Sequence, residues 1–278
     1  MHKKNCSIAA LLLACASGGA SAAPPTDRNL PLWEAGLGAG AVSTPAYPGA
    51  ETHSSRVLVL PFLIYRGEVL RSDQQGIGAR LVNNDQVEFD IGFAASLPAH
   101  SNDVAARSGM PDLGTLIEFG PRVKLRIADI DPNSRLRFDL PLRAVIEVRG
   151  GVRRQGWTLE PRLVYETHGE DKLWTAEAYL GAVVGDVRIN RYFYEVRPEF
   201  ATADRPAYRA DGGLMLIRTG LFATRRVHPD LRLFGFVRYE SYAGAANRDS
   251  PLMKRATGSS AGLGLAWTLG RSTSRAHD

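Results

Sequence analysis

Twelve charged residues stand where both chain neighbours are apolar: Glu88, Asp90, Glu118, Arg122, Lys124, Arg126, Arg137, Asp139, Arg143, Glu160, Arg162 and Glu177. Acids and bases are equal in number, so two kinds of chemistry are open to them. They could neutralise one another as ion pairs, which a confined charge requires. They could instead line a polar path whose charges select a solute.

The histidines offer less. His53, His100, His168 and His228 fall in expected loops or turns, His277 is next to last, and His2 is at the start. No two have the close spacing of a local metal site, and no serine on the polar face adjoins one. Neither an enzyme nor a bound cofactor or metal is expected. Gly36-Leu37-Gly38-Ala39-Gly40-Ala41 fits the spacing of a dinucleotide loop. That spacing has meaning only at a strand-to-helix turn, and here it lies within an extended segment, where glycines mark bends or close backbone approach. Two expected short periplasmic turns are basic, one with Arg149, Arg153 and Arg154, the other with Arg225, Arg226 and His228. Such turns would attract carboxylate-bearing murein or an acidic protein; they would also simply stay solvated.

The elements that carry the twelve charges have period two. Val87, Phe89, Ile91, Phe93, Ala95 and Leu97 alternate with Glu88, Asp90, Gly92, Ala94 and Ser96. The pattern returns over Ile117–Ile127 and over Leu136–Val148. These segments are about twice the usual strand and match the ~9 to 11 tilted residues that cross a bilayer. Fully charged residues on one face and large apolar ones on the other predict a transmembrane antiparallel β-barrel, with lipid outside and charge within.

Other features agree. Lys3 and Lys4, an apolar stretch from Ile8 to Ala16 and Ala20-Ser21-Ala22 read as a secretion signal over residues 1–22. A second reading makes Leu12-Leu13-Ala14-Cys15 a lipobox with an acylated Cys15. Cleavage after Ala22 would remove both cysteines, Cys6 and Cys15, and leave residues 23–278 as one barrel domain. The formal charge of +5 includes Lys3 and Lys4, so the exported chain is only mildly basic. Its charges alternate in sign instead of gathering on one face, which argues against a nucleic-acid partner. Beyond the signal, the longest apolar run, Val57 to Tyr65, is far short of the ~20 residues of a membrane helix.

Further strands are expected at 33–42, 55–66, 69–82, 156–166, 172–184, 187–196, 213–224, 231–242 and 259–269, about twelve in all. Trp33, Tyr65, Trp157, Tyr165, Trp174, Tyr239 and Trp267 would form aromatic girdles at the two interfaces. Counting sides from a periplasmic start puts the connections 43–54, 197–212 and 243–258 outside the cell. The same count puts 98–114 on the periplasmic side, against the usual asymmetry of short inner turns and long outer loops. A polar tail, 270–278, follows the last strand.

Four short motifs carry a resemblance: Pro45-Ala46-Tyr47-Pro48-Gly49, Gly109-Met110-Pro111-Asp112-Leu113, Arg205-Pro206-Ala207-Tyr208 and Asp249-Ser250-Pro251-Leu252. In this order the chain resembles the MipA/OmpV family. The resemblance implies an outer-membrane barrel that meets lipid and lipopolysaccharide and serves as a scaffold for periplasmic murein-synthesising and murein-cleaving enzymes and peptidoglycan. A narrow channel for small polar solutes, or a surface adhesin, are the alternatives.

Overall fold

The computed structural model describes residues 30–67, 70–73, 76–84, 86–96 and 98–276. The expected signal, Cys15 and His277 lie outside the described residues. The fold is one antiparallel sheet of thirteen strands. In chain order these are β1 (Trp33–Pro45), β2 (His53–Arg66), β3 (Leu70–Asp73), β4 (Gly76–Asn83), β5 (Val87–Ser96), β6 (Thr115–Asp131), β7 (Ser134–Val148), β8 (Val152–Leu159), β9 (Arg162–His168), β10 (Trp174–Gly185), β11 (Gly213–His228), β12 (Leu231–Ser241) and β13 (Thr257–Arg271). Each pairs with its sequence neighbours, with one exception at β8 and β9, and β13 pairs with β1 along Ser43↔Ala261 to Glu34↔Arg271.

The exception has a covalent cause. Pro161 has no N–H to give a ladder, and the expected strand 156–166 divides there. β8 and β9 still occupy one place in the sheet, since β7 pairs with β9 through Ser134–Asp139 and with β8 through Leu142–Val148. The backbone bonds Glu160 N–H to Pro141 O and Ala182 N–H to Pro161 O carry the sheet across the break.

Burial follows the period-two pattern. Along β7, Arg137, Asp139, Arg143, Val145 and Glu147 are buried, while Leu142 and Val148 are exposed. Val57, Val59, Phe93, Phe119, Leu180, Leu221, Val237 and Leu263 are likewise exposed. A continuous exposed face of large apolar side chains is not stable against water. All seven aromatic residues expected at the girdles are exposed. Trp33, Tyr65, Tyr165, Trp174 and Trp267 sit toward one end of the strands, Trp157 and Tyr239 toward the other.

Three expectations need correcting. The segment 69–82 is a hairpin of two strands, β3 and β4, with Asp73 paired to Gly76; a polar residue and a glycine bracketing two others are turn chemistry. The segment 187–196 is α1 (Val187–Tyr194), a helix. Its N-cap, Asp186, accepts from Ile189 N–H at 3.0 Å, and Ile189/Phe193 and Asn190/Tyr194 are i,i+4 pairs on its packed side.

The third correction follows from the first. One more strand before residue 98 reverses the parity, so 98–114 emerges at the same end as 46–52, 186–212 and 242–256. The connection 149–151, with Arg149 and then Arg153 and Arg154, is at this end too, so the two basic turns expected together in the periplasm lie at opposite ends. Short connections such as 132–133, 169–173 and 229–230 occupy the opposite end, and there Arg225 and Arg226 lie.

Candidate functional site

Beneath the sheet's buried face the charges are knitted together. Arg122 donates twice to Asp90, at 2.9 and 2.7 Å. Lys124 meets Glu88 at 2.8 Å and Asp90 at 3.0 Å. Arg137 donates to Asp139 at 2.9 Å, to Glu166, and to Glu177 at 3.3 Å. Arg162 reaches Asp139 at 3.3 Å. Arg218 bridges Glu160 at 3.1 Å and Glu240 at 2.8 Å. Each carboxylate faces at least one guanidinium or ammonium, the condition for keeping ions out of water at tolerable cost.

Arg143 is held differently. Its guanidinium stands 3.6 Å from Glu118 and 3.5 Å from Glu160, longer than the other pairs named here. Eleven of the twelve predicted residues enter this buried system. Arg126 does not: it is exposed near the short-turn end, paired with Asp129 three residues on. Glu166, Arg218, Arg238 and Glu240 also belong to it and were not singled out from the sequence. The alternation carries Arg218 and Glu240 only on one side, since Ile217 and Tyr239 precede them but Thr219 and Ser241 follow.

Over one end of the network the long connections form a dome. Tyr47, Ala50, Ala99, Val104, Leu113, Val196 and Leu252 pack as one cluster. The Tyr47 hydroxyl donates to Leu252 O at 2.7 Å, and burial pushes its pKa up to about 12. The Arg107 guanidinium lies over the Tyr47 ring and donates to Phe193 O and Pro111 O. Arg205 donates to Ala106 O and Ser108 O. Ser250 Oγ donates to Tyr194 O at 2.7 Å, and Asn247 bonds Asn190 of α1 at 2.8 Å. Asp112 accepts from Ser101 N–H at 2.7 Å and stands near His100 and Arg149. All four motifs named above therefore meet in the dome, and none carries a catalytic arrangement there.

A cavity of about 270 Å³ lies between dome and network. One wall is apolar: Val42, Leu58, Leu60, Phe234 and Phe236. The other holds Glu118, Arg143, Glu160, Arg218, Arg238 and Glu240. The apolar wall depends on glycine, because a Cβ on Gly262 or Gly264 would come within 2.5 Å of the Phe236 or Phe234 ring. Gly36 and Gly40 of the nucleotide-like spacing belong to this wall's strands, and a Cβ on Gly36 would strike Trp267 O. No group of three or more histidine, cysteine, aspartate or glutamate side chains is placed to hold a metal among the described residues. No described helix is long and apolar enough to cross a membrane.

An antiparallel sheet whose last strand pairs with its first, exposing apolar side chains and burying charged ones, defines the class of protein. The family model described as "MltA-interacting protein MipA" matches residues 37–269, most of the chain, and the protein belongs to that family. No curated protein matches it in sequence. Among solved structures it is similar to a NanC porin at 10% identity and TM-score 0.41, covering 84% of this chain and 100% of that one. It is similar to a bacterial polysaccharide outer membrane secretin at 11% and 0.43, covering 87% and 99%. Outer membrane phospholipase A from Escherichia coli aligns at 11% and 0.33, covering 84% and 92%.

Proposed function

We propose that the chain is a closed outer-membrane barrel of twelve staves, β8 and β9 sharing one, that conducts no solute and serves as an anchor for periplasmic murein enzymes. The observation that carries this reading is the interior: ion pairs span the buried face and the dome covers one end, so most of the interior charges are committed to each other. Near-neutral, mutually bonded charges suit a plug, and small barrels are commonly filled by their own side chains. The family description, an MltA-interacting protein, supports a murein enzyme as partner.

The docking surface in this reading is the short-turn end. Arg225, Arg226 and His228 are exposed there, with Arg271 and Arg275 of the chain's last residues close by. The connection 98–114 is no part of it, being bound into the dome. Exposed positive charge would draw an acidic enzyme face or murein carboxylates, and salt would weaken that attraction. Planar-bilayer recording of the purified protein should give no steady conductance. Arg225→Gln with Arg226→Gln should reduce co-purification of murein enzymes and its salt dependence, while Arg153→Gln with Arg154→Gln should leave it unchanged. Steady ion current, or equal loss from both pairs, would overturn the proposal.

A further inference from the structure

Among the described residues, the wall beside the dome-end half of β2 is incomplete. On its β1 side, β2 is paired from His53 to Tyr65. On the other side its ladder to β3, among the described residues, consists of Tyr65↔Ser72 and Arg66↔Arg71. Likewise β4 is paired with β5 only from Glu88 to Gly92, although β5 runs on to Ser96. Toward the dome, then, no described strand stands between β2 and β5; the Arg56 guanidinium donates across to Pro98 O. Both borders line the cavity, Leu58 and Leu60 from β2, Ala95 and Ser96 from β5. On the outer face beside this gap, Val57 and Val59 are 79% and 65% exposed, so the gap opens onto the apolar surface that the barrel reading gives to lipid.

What the cavity would take follows from its walls. The Leu58, Leu60 and Phe236 side accepts hydrocarbon. Opposite it, Arg143 is 6% exposed yet has no hydrogen bond among the described residues, only the two long ion pairs. A buried guanidinium with idle N–H groups calls for an acceptor. Three arginines and three glutamates line that side, so no further charge is needed there and an uncharged acceptor fits best. The volume, about 270 Å³, lies just below the ~300 to 1,000 Å³ usual for ligand sites.

We propose that this cavity binds a single-chain amphiphile with an uncharged, hydrogen-bond-accepting head, such as a monoacylglycerol, which enters sideways between β2 and β5. The chain lies along Leu58, Leu60 and Phe236, and the head accepts from Arg143. This rests on the closed-barrel part of the reading above, not on the absence of conductance or on the murein partner.

The test uses the full protein in lipid nanodiscs with a monoacylglycerol carrying a diazirine at its chain end. Photolysis and peptide mapping should place the label on Leu58, Leu60 or Phe236. Leu58→Trp should reduce that label several-fold, with folding checked by heat-modifiable mobility. Arg143→Met should reduce labelling by the monoacylglycerol but not by a headless diazirine alkane. Label confined to the outward residues Val57, Val59 and Val237 would overturn the site, and the wild-type map decides this even if a variant fails to fold. Labelled Leu58 in a protein that conducts ions would sink the plug and keep the site; a silent protein labelled only outside would do the reverse.

Discussion

At Asp90 and Arg122 two strands exchange a buried, doubly hydrogen-bonded ion pair across the β5–β6 ladder. Removing one member of such a pair typically costs ~3 to 5 kcal/mol, because the other charge is left without its partner. Lys124, 3.0 Å from Asp90, softens the loss. Arg122→Gln should therefore destabilise by about 3 kcal/mol, and Asp90→Asn added to it should recover most of that, as read from denaturant unfolding in micelles. No recovery would mean that the pair is not coupled. Phe119, on the same strand and stacked near Phe93, faces the other way. Phe119→Arg should cost ~2 to 4 kcal/mol if that face meets the bilayer midplane, and the loss should vanish in an assay confined to water-soluble fragments. From sequence alone, the alternation tells these faces apart and would make Arg122→Gln much the milder change. The structure brings the two costs level, because the alternation gives direction but not the distance between partners on different strands. Arg218 and Glu240 make the same point, being 22 positions apart in the chain and 2.8 Å apart in space.

Among the elements, those set by local pattern were legible and those set by turns were not. β5, β6 and β7 follow an uninterrupted period of two. The hairpin β3–β4 was hidden because one long strand and two short ones leave similar apolar content, and only Asp73 and Gly76 mark the turn. Val187 and Ile189 alternate with Arg188 and Asn190, enough to pass for the start of a strand. Two residues decide otherwise: Asp186, the cap, and Gly156 opposite it, whose φ of +115° is suited to glycine and where an added Cβ would lie 2.1 Å from Asp186 Oδ1. Asp186→Ala should cost about 1 kcal/mol, and Gly156→Ala at least as much, seen as faster amide exchange in α1; unchanged exchange in both would remove the cap from the account. The dome has its own lock. Ser101 N–H holds the Asp112 carboxylate below its usual pKa, with help from His100 and Arg149. A depressed pKa stabilises the fold above the unfolded value, ~3.9, and the benefit is lost as pH falls through the folded value. Protection of the Ser101 amide should thus hold from neutral pH to about pH 4 and drop below it. Asp112→Ala should show the low-pH behaviour at every pH, and a pH-independent protection factor would reject the lock.

For the whole molecule, the deciding consequence of one additional strand is which loops share an end. Period-two strands reverse direction at each connection, so a strand more or less before residue 98 sends every intervening loop to the opposite side. The packing of Tyr47, Ala99, Leu113, Val196 and Leu252 settles that four long connections lie together. It does not depend on the membrane, whereas their position outside the cell does. Long outer loops and short inner turns are the rule for outer-membrane barrels, so the proposed barrel would have the dome outside and Arg225, Arg226 and His228 toward the periplasm. If cleavage follows Ala22, the mature chain has no cysteine, and single cysteines can report the two ends without further substitution. Asn102, exposed in the dome, and His228, exposed at the far end, are suited to this because neither side chain is buried. Asn102→Cys should react with a membrane-impermeant maleimide on intact cells, and His228→Cys only after permeabilisation. The opposite result would turn the barrel over, put the dome in the periplasm, and move the surface for a murein enzyme from the arginines of β11 to the dome. Equal labelling of both in intact cells would mean that neither end is sealed from the outside, and the membrane-spanning reading would fall.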